Sequence, residues 1–379
     1  MRRAAVGEWT PELVRWMRER ALEAGFDAAG VAAVSATESD EGQVDAERFS
    51  EWVDAGRAGE MEYLKRRDEQ GTLLRSGVRV AMPWARSVIV CAMNYNGGGP
   101  RSVDAAPVGA GWIARYAWSG RRGEDGTLGP SDYHDELLGR LRRVEEALRG
   151  RFECETRCYV DTGPIVERAV AAKAGIGWIG KNACVLNQEL GSWLLLAVVV
   201  TSVPVAAGAA LDVAADRCGS CTRCIEACPT DALIAPRQMD ASRCIAYLTI
   251  EKKGVIEEEL RGLMGRQVFG CDICQEVCPW NRRAPVAVHA GMEMRAELVN
   301  PALEWLAEMD SAAFKRWFKG SPLERTRKKR VHRNVAIAMG NSGDARYLPQ
   351  LEAWAAGEDE VLAESARWAM GQIRGDCGE

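Results

Sequence analysis

Four cysteines within one short run constrain this chain more than anything else in it: Cys218, Cys221, Cys224 and Cys228 stand as C-x2-C-x2-C-x3-C and are followed by Pro229. At that spacing three thiolates grip one iron–sulfur cubane while the fourth reaches a neighbouring one. Cys271, Cys274 and Cys278, followed by Pro279, repeat the last three positions, and Val268 stands where the first cysteine of the repeat would fall. Cys244 is the obvious replacement. Crossing over the fourth ligands assigns one [4Fe-4S] cluster to Cys218, Cys221, Cys224 and Cys278, and a second to Cys228, Cys244, Cys271 and Cys274. Structural zinc also uses paired C-x2-C motifs, but it does not call for three evenly spaced ligands in one run and a Cys-Pro in both. Of the other five of the thirteen cysteines, Cys91 and Cys184 adjoin strands and read as small apolar side chains. Cys154, Cys158 and Cys377 show no partner spacing.

Thiols clustered in this way imply a reducing compartment. The start, MRRAAVGEWTPELVRWMRERALEAGF, carries charges through any apolar stretch, so no export is expected and a cytoplasmic location is. The longest apolar run, Trp193 to Val200, is too short to span a bilayer and reads as a buried strand. Only three histidines occur, His134, His289 and His332. Proton transfer is therefore expected from a carboxylate or a tyrosine.

Thr10-Pro11, then apolar Leu13, Trp16, Met17 and Ala21, then Gly25, predicts a capped amphipathic helix. A second helix is expected over Ala46 to Ala55, a buried strand over Ser87 to Met93, and helices over Tyr133 to Leu148 and Val166 to Ala174. Strands are expected over Arg157 to Val160 and Trp193 to Thr201. Gly120 to Pro130 reads as a solvent-exposed insertion. The alternation predicts an α/β domain over residues 1–205, a two-cluster ferredoxin-like unit over 206–290, and a helical cap of the HEAT kind over 291–379.

Gly175, Gly177 and Gly180 satisfy G-x-G-x-x-G, but a helix precedes them and the apolar strand follows, the reverse of a dinucleotide fingerprint. They are expected instead to let the backbone approach a large ligand closely. Read with the cysteines, the stretches YVDTGPIVERAVAAKAGIGWIGKN, GSWLLLAVVV, RCIAYLTIEKKG and FGCDICQEVCPWN resemble the epoxyqueuosine reductases. The resemblance extends to GEMEYLKRR, to RYAW and DYH on either side of the insertion, and to KGSPLERTRKKRVHRNVAIAMGN.

That resemblance implies an α/β cobalamin-binding domain of the nitroreductase-like or reductive-dehalogenase-like kind beside the two clusters. It also implies reduction of epoxyqueuosine at the wobble position of tRNA. Asp161, in DTGP at a strand end, becomes the expected proton donor; its plainer reading is a turn cap. Lys181, Asn182, Gly191 and Ser192, with Tyr116, Tyr247 and Thr249, become candidate cobalamin contacts. Between Lys315 and Arg333 nine Lys and Arg face Glu324 alone, in a chain of net charge −5. Arg325, Arg327, Lys328, Lys329, Arg330 and Arg333 are accordingly expected on tRNA phosphates. An external low-potential electron donor, a monomeric state and no membrane association complete the expectation. The rival readings are a cytoplasmic corrinoid reductive dehalogenase and a plain electron-transfer iron–sulfur protein.

Overall fold

The structure, a computed structural model, describes residues 7–34, 40–209 and 213–375. Cys377 lies outside them. The apolar strands assemble into a four-stranded sheet in the spatial order Ala28–Ala33, Ser87–Asn94, Leu194–Thr201, Thr156–Tyr159. Every neighbouring pair is antiparallel, so the expected layering of helices on a sheet holds while the parallel strand order usual for alternating β and α segments does not.

Both faces of the sheet are covered, which explains the unbroken apolar run of its central strand. Ile89, Cys91, Met93, Ala197 and Val199 pack against Val14, Met17 and Ala21 of helix Pro11–Glu23 and against Leu137, Leu141 and Val144 of helix Tyr133–Arg151. Val88, Val90, Ala92, Val198 and Val200 point the other way, onto Ile165, Val170 and Ala171 beside helix Glu167–Lys173. Thr10 caps the first helix by accepting from the Leu13 amide at 3.4 Å, as its sequence predicts. The insertion forms a hairpin, Ser119–Arg122 with Leu128–Pro130, and Glu293–Met294 adds a third strand to it. Among the described residues no helix is long and apolar enough to cross a membrane.

The two cysteine runs each lead into one turn of helix, Arg223–Glu226 and Ile273–Glu276, and the two turns touch. The C-terminal helices Arg327–Ser342, Leu348–Ala355 and Glu360–Arg374 pack on one another. Gly340 allows the closest crossing, since a Cβ there would lie 2.7 Å from the Ala369 Cα. Helix Arg327–Ser342 is not a peripheral cap. All ten residues from Val331 to Gly340 are buried, and Val331, Val335 and Met339 share a core with Ile113, Val268 and Phe269. Strand Gln267–Phe269 in turn pairs in parallel with Trp112–Ile113, which ties the cluster-bearing segment, the helical segment and the RYAW segment together.

Candidate active site and cluster-binding thiols

At the end of strand Thr156–Tyr159 the chain turns through Asp161, whose φ of +56° places a non-glycine residue in the left-handed region. Such a backbone persists only where its surroundings hold it. Arg75 does part of that, reaching the Asp161 carbonyl at 3.4 Å and the Ile165 carbonyl at 3.0 Å. The Asp161 carboxylate is half-exposed and accepts a hydrogen bond from the Tyr133 hydroxyl. His134 Nε2 stands 3.7 Å from the same oxygen, while its Nδ1 lies 2.6 Å from Asp132 Oδ1. Burial works against the Asp132 charge, but the His134 side chain and amide hold its carboxyl below the usual range.

Tyr133 has its hydroxyl raised well above the ordinary range by burial and by the Asp161 charge. Tyr116 packs edge-on to Tyr133 at 5.7 Å between ring centroids. Glu167, at the start of the next helix, has one carboxylate oxygen buried without a partner among the described residues. Burial first, then the Asp161 charge, pushes its carboxyl up to about 7. Arg325 closes the group: its guanidinium lies beside the Tyr133 hydroxyl and faces Asp132 and Tyr116.

The eight predicted ligand cysteines fall into two groups. Burial raises the thiols of Cys224 and Cys278; the thiols of Cys218 and Cys221 act on both, and that of Cys224 acts on Cys278 as well. Burial likewise raises Cys244, beside Cys228 and Cys184, and Cys271, beside Cys244 and Cys228, while Cys274 is raised by Cys184, by burial, and by Cys271 and Cys244. The expected crossed-over grouping is compatible with these neighbours, with Cys184 an additional thiol beside the second set. Buried thiols packed against like charges call for a bound cation to neutralise them as thiolates. Among the described residues no three His, Cys, Asp or Glu side chains close on one ion-sized point; a cubane, by contrast, takes its ligands at separate corners.

Cys184, expected to be inert packing, stands beside Cys274 closely enough for the two thiols to shift each other's ionisation, and strand periodicity cannot reveal that contact. Nor does sequence reasoning single out Tyr133, His134 and Asp132 as site residues. Their only signal is the DYH motif at a helix start, where Asp132 also caps the His134 amide.

Several expected contacts have other employment. Thr249 is a correction: it is fully buried, its hydroxyl donates to the Ile245 carbonyl at 2.7 Å and accepts from the Gly270 amide at 2.9 Å, so its proton is already used and the group is enclosed by protein. Tyr247 packs its ring on Gly59 and accepts from the Glu60 amide at 2.8 Å. Lys181 donates to the Gly219 carbonyl at 2.7 Å, Asn182 to the Cys274 carbonyl at 3.5 Å, and Ser192 to Gln275 at 2.9 Å. Gly191, at φ +70°, packs against Asn281. These four therefore fasten the sheet domain to the cysteine loops. The glycine motif is a second correction: Gly175 ends a helix at φ +73°, and a Cβ on Gly177 would lie 2.0 Å from the Leu186 carbonyl oxygen. Those glycines admit a neighbouring strand rather than a ligand.

Arg333 is a third correction. It is 1% exposed, and its guanidinium donates to the carbonyls of Leu248, Lys252 and Gly254 at 2.5–2.8 Å and to Asn334 Oδ1. No phosphate can reach it. Arg330 turns back onto the Thr326 and Arg325 carbonyls, and Lys329 pairs with Asp359 at 3.0 Å. Arg325 and Arg327 are exposed. The other five basic positions thus remain compatible with RNA.

A profile described as a 4Fe-4S double cluster binding domain matches residues 217–281. A second, described as epoxyqueuosine reductase QueG, DUF1730, matches residues 75–162. The epoxyqueuosine reductase of Vibrio cholerae is 34% identical over 364 residues, covering 95% of this chain and 91% of the relative. An epoxyqueuosine reductase solved with an epoxyqueuosine-modified tRNA-Tyr stem loop superposes with a TM-score of 0.80 at 30% identity, over 96% of this chain and 90% of that one. The Bacillus subtilis enzyme, solved with an aspartate-bearing catalytic loop swung out of its active site, matches with the same TM-score, identity and coverage.

Proposed function

This chain belongs to the epoxyqueuosine reductase family, and on that footing we propose how its residues divide the reduction of epoxyqueuosine to queuosine in tRNA. The observation that carries the proposal is the meeting at Tyr133 of Asp161 from the sheet domain and Arg325 from the basic stretch. A proton donor and an RNA-facing cation thereby share one mouth.

The reaction removes an epoxide oxygen as water and consumes two electrons and two protons. Eight cysteines in a double-cluster domain supply the electron route. Cobalamin, when bound, supplies low-potential cobalt chemistry at the carbon–oxygen bond. Two buried polar atoms beside Asp161, Glu167 Oε1 and His134 Nε2, lack hydrogen-bond partners among the described residues, and such unmet polar capacity fits a large polar ligand. Tyr116 is the residue of the candidate set that we place against it, with Lys181, Asn182, Gly191 and Ser192 acting from the seam behind.

Asp161 is the group that delivers a proton to the departing oxygen. Tyr133 fixes its carboxylate, and His134, held at Nδ1 by Asp132, presents Nε2 toward the same oxygen for its reprotonation. The aspartate-bearing catalytic loop of the Bacillus subtilis relative supports giving the role to a mobile aspartate. Arg325, Arg327, Lys328, Lys329 and Arg330 are proposed to draw the anticodon loop to this mouth, and the C-terminal helices to serve as a HEAT-like platform for it.

The test is single-turnover reduction of an epoxyqueuosine stem loop, followed by mass spectrometry of its nucleosides. Asp161→Asn keeps shape and hydrogen bonding but cannot give up a proton, so it should retain its clusters and cobalamin and lose about 10²- to 10⁴-fold in rate. A near-normal rate would return Asp161 to the role of a strained turn.

A further inference from the structure

The two four-thiol groups differ in depth. Cys218, Cys221 and Cys224 lie in a loop whose Arg217, Gly219, Ser220, Thr222 and Arg223 are all exposed. Cys244 and Cys271 instead pack on the core formed by Ile245, Leu248 and Ile337. Beyond the deeper group lies the active site: a Cβ on Gly270, next to Cys271, would be in ordinary contact with the Tyr116 ring at 3.5 Å, and Tyr116 packs on Tyr133. The first group is thus the one nearer solvent and the second the one nearer the active site.

The surface over the first group is basic. Arg217 and Arg223 flank its cysteines, Arg282 and Arg283 follow Cys278 in the turn Pro279–Arg283, and all four are exposed. None of the four makes an ion pair or side-chain hydrogen bond among the described residues. Lys181 joins them through its bond to the Gly219 carbonyl. The acidic groups beside them are Asp216, already paired with Arg237, and Glu226, which accepts from Thr222. Trp280 packs on Cys218 and Cys278 and edge-on to Trp178 at 5.1 Å. Four unpaired arginines in one patch of a chain whose net charge is −5 do not serve folding.

We propose that this patch is the docking surface for an acidic, low-potential, one-electron carrier protein, which reduces the cluster held by Cys218, Cys221, Cys224 and Cys278. The inference rests on reading the eight cysteines as ligands of two clusters. Two carrier molecules are each oxidised by one electron per turnover, the epoxide is reduced by those two electrons, and the protons come from solvent through the acid group at Asp161. Charge complementarity favours an acidic partner, because steering between opposite fields raises association rates and is screened by salt. RNA is the less suitable occupant, since its reacting nucleotide must reach Asp161, which meets the deeper thiol group through Tyr133, Tyr116 and Gly270.

The experiment mixes the anaerobic two-cluster protein with a reduced acidic flavodoxin and follows bleaching of the cluster absorbance, at several ionic strengths. The wild-type rate constant should fall steeply with salt. A variant combining Arg217→Gln, Arg223→Gln, Arg282→Gln and Arg283→Gln should react about 10- to 100-fold more slowly at low salt and lose most of the salt dependence. With methyl viologen radical cation in place of flavodoxin the same variant should be reduced at the wild-type rate or faster. Its affinity for a tRNA stem loop should be unchanged. Equal slowing with both reductants, an unaltered flavodoxin rate, or weakened RNA binding would each overturn the proposal. Wild-type protein lacking about eight irons would instead show that the cluster reading had failed.

Discussion

Glu167→Gln tests the electrostatics of the active site at the one carboxyl there that burial shifts by a measurable amount. That group is pushed up to about 7 from an ordinary 4.5, chiefly by burial and then by the Asp161 charge. Below pH 4.5 it is protonated in both folded and unfolded chains and contributes nothing to the pH dependence. As pH rises from 4.5 to 7 the unfolded chain releases the proton while the folded one keeps it, so stability falls by about 1.4 kcal/mol per pH unit. Above pH 7 the loss levels off near 3 kcal/mol, the product of that slope and the shift. Glutamine stays neutral throughout, so the advantage of the variant over wild type should grow across the same window. At about 2 cal/mol/K per residue, 3 kcal/mol corresponds to roughly 4 °C in melting temperature for a chain of this size. Differential scanning of both proteins, cluster-loaded and anaerobic, at pH 4.5, 5.5, 6.5 and 8 reads the difference. A gap between the two that stays constant with pH would contradict this account, because it would mean that Glu167 ionises as it does in the unfolded chain.

Cys244→Ala should remove one cluster and leave the other, since Val268 offers no thiolate in its place; iron content near four and one surviving paramagnetic signal on reduction check this, and retention of eight irons contradicts the crossed-over grouping. Arg333→Met should unfold the chain rather than weaken RNA binding, at a cost of about 3–5 kcal/mol, as its carbonyl partners are left buried and unpaired; a folded variant with weak RNA binding would reverse that assignment. Neutralising Arg327, Lys328 and Lys329 together should weaken tRNA binding and reduce the salt slope by about 0.7 to 0.9 per lost phosphate contact, read by titration at several salt concentrations. Arg325→Gln should act differently, lowering the saturated rate on a short stem loop as well as affinity, because the Arg325 charge also faces Tyr133; a pure affinity effect would leave it among the phosphate contacts.

Features set by local spacing are legible in the linear chain. Cysteines three and four apart can meet one cubane wherever the fold places them, so seven of the eight expected ligands are marked by spacing, while Cys244 enters only because Val268 interrupts the repeat. The capped first helix follows in the same way, and so does the strand from Leu194, whose unbroken apolar run requires cover on both faces. Whatever depends on which distant segments meet is settled only by packing. Arg325 and Arg333 are eight positions apart in one basic stretch, yet one stands exposed over Tyr133 and the other is consumed by carbonyls near Leu248 and Gly254; charge counting treats them alike. The glycine motif points to a ligand because glycine permits any close approach, and only the fold shows that the approaching group is Leu186. His134 and Glu167 are invisible in the linear chain for the same reason: their chemistry comes from standing beside Asp161, a neighbour that long-range packing alone brings to them.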